Sequence, residues 1–262
     1  MASGINKPTL DLTGKCAIIT GGTRGIGNGI AEAFAMYGCN LAITSRNADD
    51  CASASKDLSD TYGVKCVGIC ADSSVKEDVD RAVAQAVEAL GKIDILVNCA
   101  GIGGGRYAFT DIPEEAMDKT MLINFKGYFL FAQAVAKQMV AQGIGGRIIN
   151  MSSNGGMIGS PKLAPYAASK AAVMSMTRTM ANELACYGIT VNSVCPGYVL
   201  TSMNAKAMSD PELRRVSEEN TALKRLGTVE EIAGPVLAMA SEVFRYMTGT
   251  TVVIDGGQII GQ

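Results

Sequence analysis

Apolar residues along this chain come in two rhythms. Seven short runs, at 16–20, 40–44, 65–70, 93–97, 147–151, 189–194 and 251–254, are apolar at most positions rather than at every second one. Such runs, too short for helices, predict strands covered on both faces. Longer stretches at 26–37, 75–90, 114–142 and 166–187 carry the spacing of helices. Alternating strand and helix predicts right-handed crossovers and a doubly wound parallel sheet. No repeat, low-complexity tract or Pro/Gly-rich linker interrupts the pattern. The expectation is one α/β (Rossmann) domain over 1–262, a seven-stranded parallel sheet flanked by helices, with an N-terminal extension at 1–12.

Composition narrows the function classes. Of 262 residues, 48% are hydrophobic and 18% charged, and the net charge is -2 with no block of like charges. That balance predicts a folded globular chain and gives no footprint for nucleic acid or an anionic membrane. No apolar run approaches the ~20 residues of a bilayer span. The opening MASGINKPTLDLTGK lacks a signal-peptide core, so a cytoplasmic location is expected. Eight cysteines lie mostly inside expected strands and helices. Cys66 and Cys70 would be a metal pair only with further ligands, but they sit on an apolar strand and the chain has no histidine. Reduced, buried thiols and no metal are the better reading. Without histidine, acid–base chemistry must come from Tyr, Lys, Asp, Glu or Cys.

The first run leads straight into Thr20-Gly21-Gly22-Thr23-Arg24-Gly25-Ile26-Gly27, where helical spacing begins. Gly21 permits a tight turn, Gly25 lets backbone approach a pyrophosphate, and Gly27 allows close helix–sheet packing. The helix N-terminus presents unpaired N–H groups and partial positive charge to phosphates. Glycines also build plain turns; placement between first strand and first helix favours a nucleotide. In dinucleotide sites an acidic residue at the end of the second strand holds the adenosine ribose hydroxyls. Here that strand ends Ile43-Thr44-Ser45-Arg46, with no acid before Asp49. Arg24 and Arg46 stand there instead, and guanidinium suits the 2′-phosphate of NADP(H). The alternative is two solvated surface arginines.

Ser153 comes just after the fifth run, Tyr166 thirteen residues later, and Lys170 four after that. On a helix, the i,i+4 pair shares one face, here among small apolar residues: Ala167, Ala168, Ala171, Ala172 and Val173. To these are added Asp72 after the third strand, Asn98-Cys99-Ala100-Gly101 after the fourth, Asn124, Pro196-Gly197, Thr201 and Asp255-Gly256-Gly257. With the TGGTRGIG loop, and in this order and spacing, they make residues 13–257 resemble the classical short-chain dehydrogenase/reductase (SDR) family.

The resemblance implies hydride transfer between NADP(H) and a small-molecule ketone or secondary alcohol. Tyr166 is then the acid in reduction and the base in oxidation, its phenol pKa of about 10 lowered by roughly 2–3 pH units beside Lys170. Lys170 is also expected to bind the nicotinamide ribose and join a proton relay through water and Asn124. Ser153 would hydrogen-bond the carbonyl oxygen. For the cofactor, the resemblance implies contacts from Gly21, Thr23, Arg24, Gly25, Ile26 and Gly27, and from Ser45 and Arg46. It adds Asp72 and Ser73 at the adenine, Asn98, Ala100 and Gly101 along the adenosine ribose, and Pro196, Gly197, Val199 and Thr201 around the nicotinamide. Cys99 departs from the second asparagine of many members, while Asn98 keeps the first. The family's pairing implies a homotetramer built on the stretches 114–142 and 166–187, which carry Phe129, Val135, Met174 and Met180, and on the last strand.

Substrate candidates are 102–106, 155–164 and 198–219, the last including Leu200, Met203, Ala207 and Met208 and expected to form a mobile lid over about 200–220. If these side chains line the pocket, a bulky apolar ketone, alicyclic or steroidal, suits it better than a sugar; the other reading is that the methionines pack a helix. Alternatives are a 3-oxoacyl-thioester reductase and a sugar or polyol dehydrogenase. The family's acyl-carrier-docking arginines are matched here by uncharged Ile144 and Tyr187. A non-catalytic NADP-binding redox sensor is the rival of another class; the full set Asn124, Ser153, Tyr166 and Lys170 argues against it.

Overall fold

A computed structural model describes residues 9–202 and 204–260. Residues 1–8 of the expected extension and Met203 of the expected lid lie outside the described residues, as does the side chain of Ala207. The seven strands are β1 (Cys16–Thr20), β2 (Asn40–Ser45), β3 (Cys66–Cys70), β4 (Ile95–Asn98), β5 (Gly146–Met151), β6 (Ile189–Pro196) and β7 (Thr251–Ile254). They pair in parallel in the order β3-β2-β1-β4-β5-β6-β7. The strand order reverses between β1 and β4, and this opens a crevice at their carboxyl ends, where ligands bind in sheets of this type.

The continuous apolarity of the strands has a direct cause. Ile18, Leu96 and Ile148 are register partners packed into one layer, while Ile19, Val97 and Ile149 face the opposite one. The first layer is closed by α3 (Lys76–Leu90) and α5 (Gly127–Gln142), through Val83, Phe131 and Val135. The second is closed by α1 (Gly25–Met36) and α9 (Val229–Ala240), through Ile30, Phe34 and Val236. Alternation would leave one face wet, and neither face is.

Some elements differ from the sequence expectation. α2 (Ala48–Tyr62) buries only Cys51, Ser55 and Leu58, a stripe too thin to stand out. It starts where Asn47 Oδ1 accepts from the amides of Asp49 and Asp50. α9 has Pro235 inside it, which masks a helix opened by a Thr228–Glu231 capping box. The long stretch 114–142 divides into α4 (Glu114–Met121) and α5, joined by one π-helical turn at Leu122–Lys126. The stretch 166–187 is α6 (Ala164–Leu184) with a short 3₁₀ turn after it. Residues 200–220 contain α7 (Ala205–Met208) and α8 (Pro211–Glu219).

Two side-chain expectations are corrected. Of the apolar residues assigned to outer helix faces, Val135 and Met174 are buried within the chain, and Phe129 is the exposed one. Cys70 and Cys186 are exposed, because Cys70 ends an edge strand and Cys186 lies in the turn after α6. No helix among the described residues is long and apolar enough to cross a membrane.

Candidate active site

Every strand delivers one motif to the same edge of the sheet. Gly21 comes directly after β1, Ser45 ends β2, Asp72 lies just past β3, and Asn98 ends β4. Ser153 lies two residues past β5, Pro196 ends β6, and Asp255 comes directly after β7. Parallel strands make this convergence automatic, since all their carboxyl ends point one way.

The glycine loop has little room to be anything else. A Cβ at Gly27 would lie 2.2 Å from the carbonyl oxygen of Gly21, and one at Gly21 would lie 2.9 Å from Cα of Ala100. Gly25, at φ +56°, has open space apart from Thr201 at 3.7 Å, so the nicotinamide-side segment comes up against the loop. α1 begins with no side-chain cap and no acid in its first turn, whereas α2, α3, α4, α8 and α9 each open on acidic residues. An uncapped helix start beside an open glycine is a cradle for an anion. The residues present therefore fit the pyrophosphate of a dinucleotide.

Arg24 and Arg46 are both exposed, and neither side chain has a partner among the described residues. Arg24 borders a groove of about 610 Å³ between α1 and α2. The Ser45 hydroxyl is occupied by the turn into α2, donating to the Asn47 carbonyl at 3.0 Å. One carboxylate oxygen of Asp72 accepts from the Ser74 hydroxyl at 2.6 Å, and Ser73 is buried. Asn98 differs from expectation. Its side chain is fully buried and its Nδ2 donates to Asn150 Oδ1 (3.0 Å) and the Tyr128 carbonyl (3.3 Å), while its Oδ1 is buried with no hydrogen-bond partner among the described residues, so the side chain faces the core.

The candidate reacting groups come together behind this loop. A Cβ at Gly155 would meet Ser160 Oγ at 3.2 Å, Ser153 Oγ at 3.4 Å and Tyr166 Cε1 at 3.9 Å, so these side chains ring one small space. Ser153 Oγ accepts from the Gly155 amide at 3.1 Å. Asn124, in the π turn, donates to the Ile102 carbonyl (2.9 Å) and accepts from its amide (2.8 Å). Its side chain thus fixes the wall after β4. Lys170 is buried, and its Nζ donates to the Met151 carbonyl at 2.7 Å and the Tyr128 hydroxyl at 3.2 Å.

The expected lowering of the Tyr166 pKa by Lys170 is absent in this arrangement. Nζ lies 5.9 Å from the Tyr166 ring centre and is bonded elsewhere. Burial pushes the Tyr166 phenol up, and hydrogen bonding with Ser153 pulls it part of the way back. Burial also brings the Lys170 amine down to about 8. Tyr128 is the site residue that sequence reasoning missed. Its only signal was a tyrosine one turn after Asn124 in an apolar helix.

On the substrate side, a cavity of about 490 Å³ has Tyr107, Phe109, Ser160, Pro161, Lys162 and Ala167 among its lining residues. It lies between 155–164, one of the segments expected to meet substrate, and Tyr107 and Phe109, which fall just past the expected 102–106; the Tyr107 amide donates to the Lys162 carbonyl at 3.1 Å.

Comparison with known proteins agrees with this geometry. Residues 21–258 match the family model described as enoyl-(acyl carrier protein) reductase. The chain is 35% identical to an L-rhamnose 1-dehydrogenase (NAD(P)(+)) of Sphingomonas sp. (strain SKA58), over 95% of this chain and 98% of that protein. It is 37% identical to an NAD-dependent glycerol dehydrogenase of Listeria innocua, over 95% and 96%. Among solved structures, a short-chain type dehydrogenase/reductase from Mycobacterium marinum superposes with a TM-score of 0.90 at 38% identity, covering 95% of this chain and 97% of that one.

Proposed function

The chain belongs to the classical short-chain dehydrogenase/reductase family, and from that premise we propose that it interconverts a bulky apolar ketone and its secondary alcohol using NADP(H). Its general activity is that of an NAD(P)-dependent oxidoreductase acting on CH–OH or C=O groups. The observation carrying the finer reading is the shared space of Ser153, Tyr166 and Ser160 beside the largely apolar cavity.

Bound nicotinamide supplies or accepts the hydride. Ser153 donates to the substrate oxygen and stabilises the negative charge that grows there in reduction. Tyr166 gives its proton to that same oxygen, and takes it back in oxidation. A phenol held protonated by burial is suited to the acid role. Lys170 holds positive charge behind the phenol and meets the cofactor ribose. With the Asn124 amide used on Ile102, its backbone is what remains for a proton relay. The phosphate loop from Gly21 through Thr23, Arg24, Gly25, Ile26 and Gly27 holds the pyrophosphate side. Arg24 and Arg46 take the 2′-phosphate, while Ser45, Asp72, Ser73, Ala100 and Gly101 line the adenosine half, with the backbone of Asn98. Pro196, Gly197, Val199 and Thr201 enclose the nicotinamide. The segment 200–220 covers the substrate.

A second reading, oxidation of a sugar or polyol, is favoured by the names of the L-rhamnose and glycerol dehydrogenases. The deciding experiment monitors NADPH oxidation and NADP reduction across alicyclic ketones and alcohols, 3-oxoacyl thioesters, sugars and polyols. The expected result is highest kcat/KM on the alicyclic pair. Preference for L-rhamnose or glycerol would replace the apolar reading, and NADPH binding with no turnover of any class would overturn the enzyme.

A further inference from the structure

A fully buried tyrosine that makes no use of its hydroxyl is unusual, because phenylalanine fills the same volume without desolvating an O–H. Tyr128 is 1% exposed on α5, and its hydroxyl reaches across to the carboxyl end of β5. There it donates to the Met151 carbonyl at 3.1 Å and accepts from Lys170 Nζ at 3.2 Å, while Nζ itself donates to the same carbonyl at 2.7 Å. Nζ also lies 4.8 Å from the Tyr128 ring centre, over its electron-rich face. Three groups therefore close a small triangle around the lysine, and Asn98 anchors the Tyr128 backbone from the neighbouring strand.

We propose that Tyr128 is a positioning residue for Lys170, its hydroxyl and ring together making a buried seat that holds the amine in its charged form. This rests on the reading of Lys170 as part of the reacting site. An ammonium has three donors and, once buried, each needs an acceptor. The Met151 carbonyl and the Tyr128 hydroxyl satisfy two and leave one for the cofactor side. No Asp or Glu shares an ion pair with Lys170 among the described residues. The titratable groups facing it are Tyr128 from α5, Tyr166 from its own helix, Cys99 after β4 and Cys195 in β6. All four are neutral when protonated, so the compensation for burying the charge falls on hydrogen bonds and on the Tyr128 ring face.

Removing an acceptor of the charged form lowers the amine's pKa further below its present value of about 8. A neutral lysine offers the cofactor ribose a weaker donor than an ammonium, so NADPH binding weakens once pH exceeds the lowered midpoint. Tyr128→Phe keeps the ring and removes only the hydroxyl. NMR titration of 13C-lysine-labelled, cofactor-free protein, with Lys170 assigned from its loss in Lys170→Met, is expected to show the midpoint lowered by about one pH unit. The Kd for NADPH should match wild type well below the lowered midpoint and rise by up to about tenfold above it, as the charged fraction of the amine falls. An unmoved Lys170 midpoint overturns the proposal, as does NADPH binding weakened by the same factor at every pH, which would mark a packing role. If instead Lys170→Met itself stays active, the reading of the site fails and not merely the seat beneath it.

Discussion

At the scale of single residues, Ser153, Tyr166 and Lys170 act as one unit in the proposed mechanism. Tyr166→Phe should fold, bind NADPH and lose at least ~10²-fold in kcat, the size of a lost general acid. Ser153→Ala should behave alike, and Lys170→Ala should also weaken NADPH binding. Steady-state kinetics with fluorescence titration of NADPH checks all three; near-normal turnover by Tyr166→Phe would remove the mechanism. These positions were legible because chemistry restricts them to a few residue types at fixed spacing. Tyr128 was not, since nothing in its neighbours distinguishes a core tyrosine from one touching a lysine 42 residues away. The electrostatic sign of Tyr166 was also hidden. Spacing places an ammonium near a phenol, but burial, which acts against the charged form of both, depends on the packed interior.

At the scale of elements, strands were easier to read than helices. Strands buried on both faces are apolar throughout, so β1, β2 and β5 stand within a residue of where the runs place them. Helices with thin stripes or an internal proline, such as α2 and α9, reveal themselves only through their caps. The start of α1 is legible for another reason, since its lack of acid and cap is visible in the sequence itself. Cofactor choice belongs to this scale, because it depends on the residues at the carboxyl ends of β1 and β2. With both arginines free of protein partners among the described residues, NADPH should be preferred over NADH by about 10²-fold, exposed pairs giving less than their nominal sum. Ser45→Asp with Arg46→Leu should move preference toward NADH, by repelling the 2′-phosphate and offering the ribose hydroxyls an acceptor. The comparison is kcat/KM for both cofactors in wild type and double variant. A wild type already favouring NADH would reduce the arginines to surface charge and leave the enzyme class standing.

At the scale of the whole molecule, the question is what covers the apolar surface that one chain leaves open. The buried core accounts for Val135 and Met174, which therefore argue nothing about assembly. The exposed residues do. Met117, Leu122, Phe129 and Val140 are exposed along α4, the π turn and α5, and Phe129 is 43% accessible. Phe244, Tyr246, Val253 and Ile260 are exposed around β7, with Tyr246 at 101%. Two apolar areas on different elements would each be relieved by a two-fold contact, and two kinds of two-fold contact close into a tetramer. We expect a homotetramer in solution. Multi-angle light scattering at micromolar concentration should give the mass of four chains. Charge placed in the first area alone, as Phe129→Glu, should yield dimers held by the second, because the two contacts are separate. Tyr246→Glu with Val253→Lys should yield dimers of the other kind, and combining all three should yield monomers. A wild type that elutes as a stable monomer would contradict the assignment of both areas. A Phe129→Glu variant that remains tetrameric would leave α4 and α5 outside the interface and assign the second two-fold contact to another surface than this one.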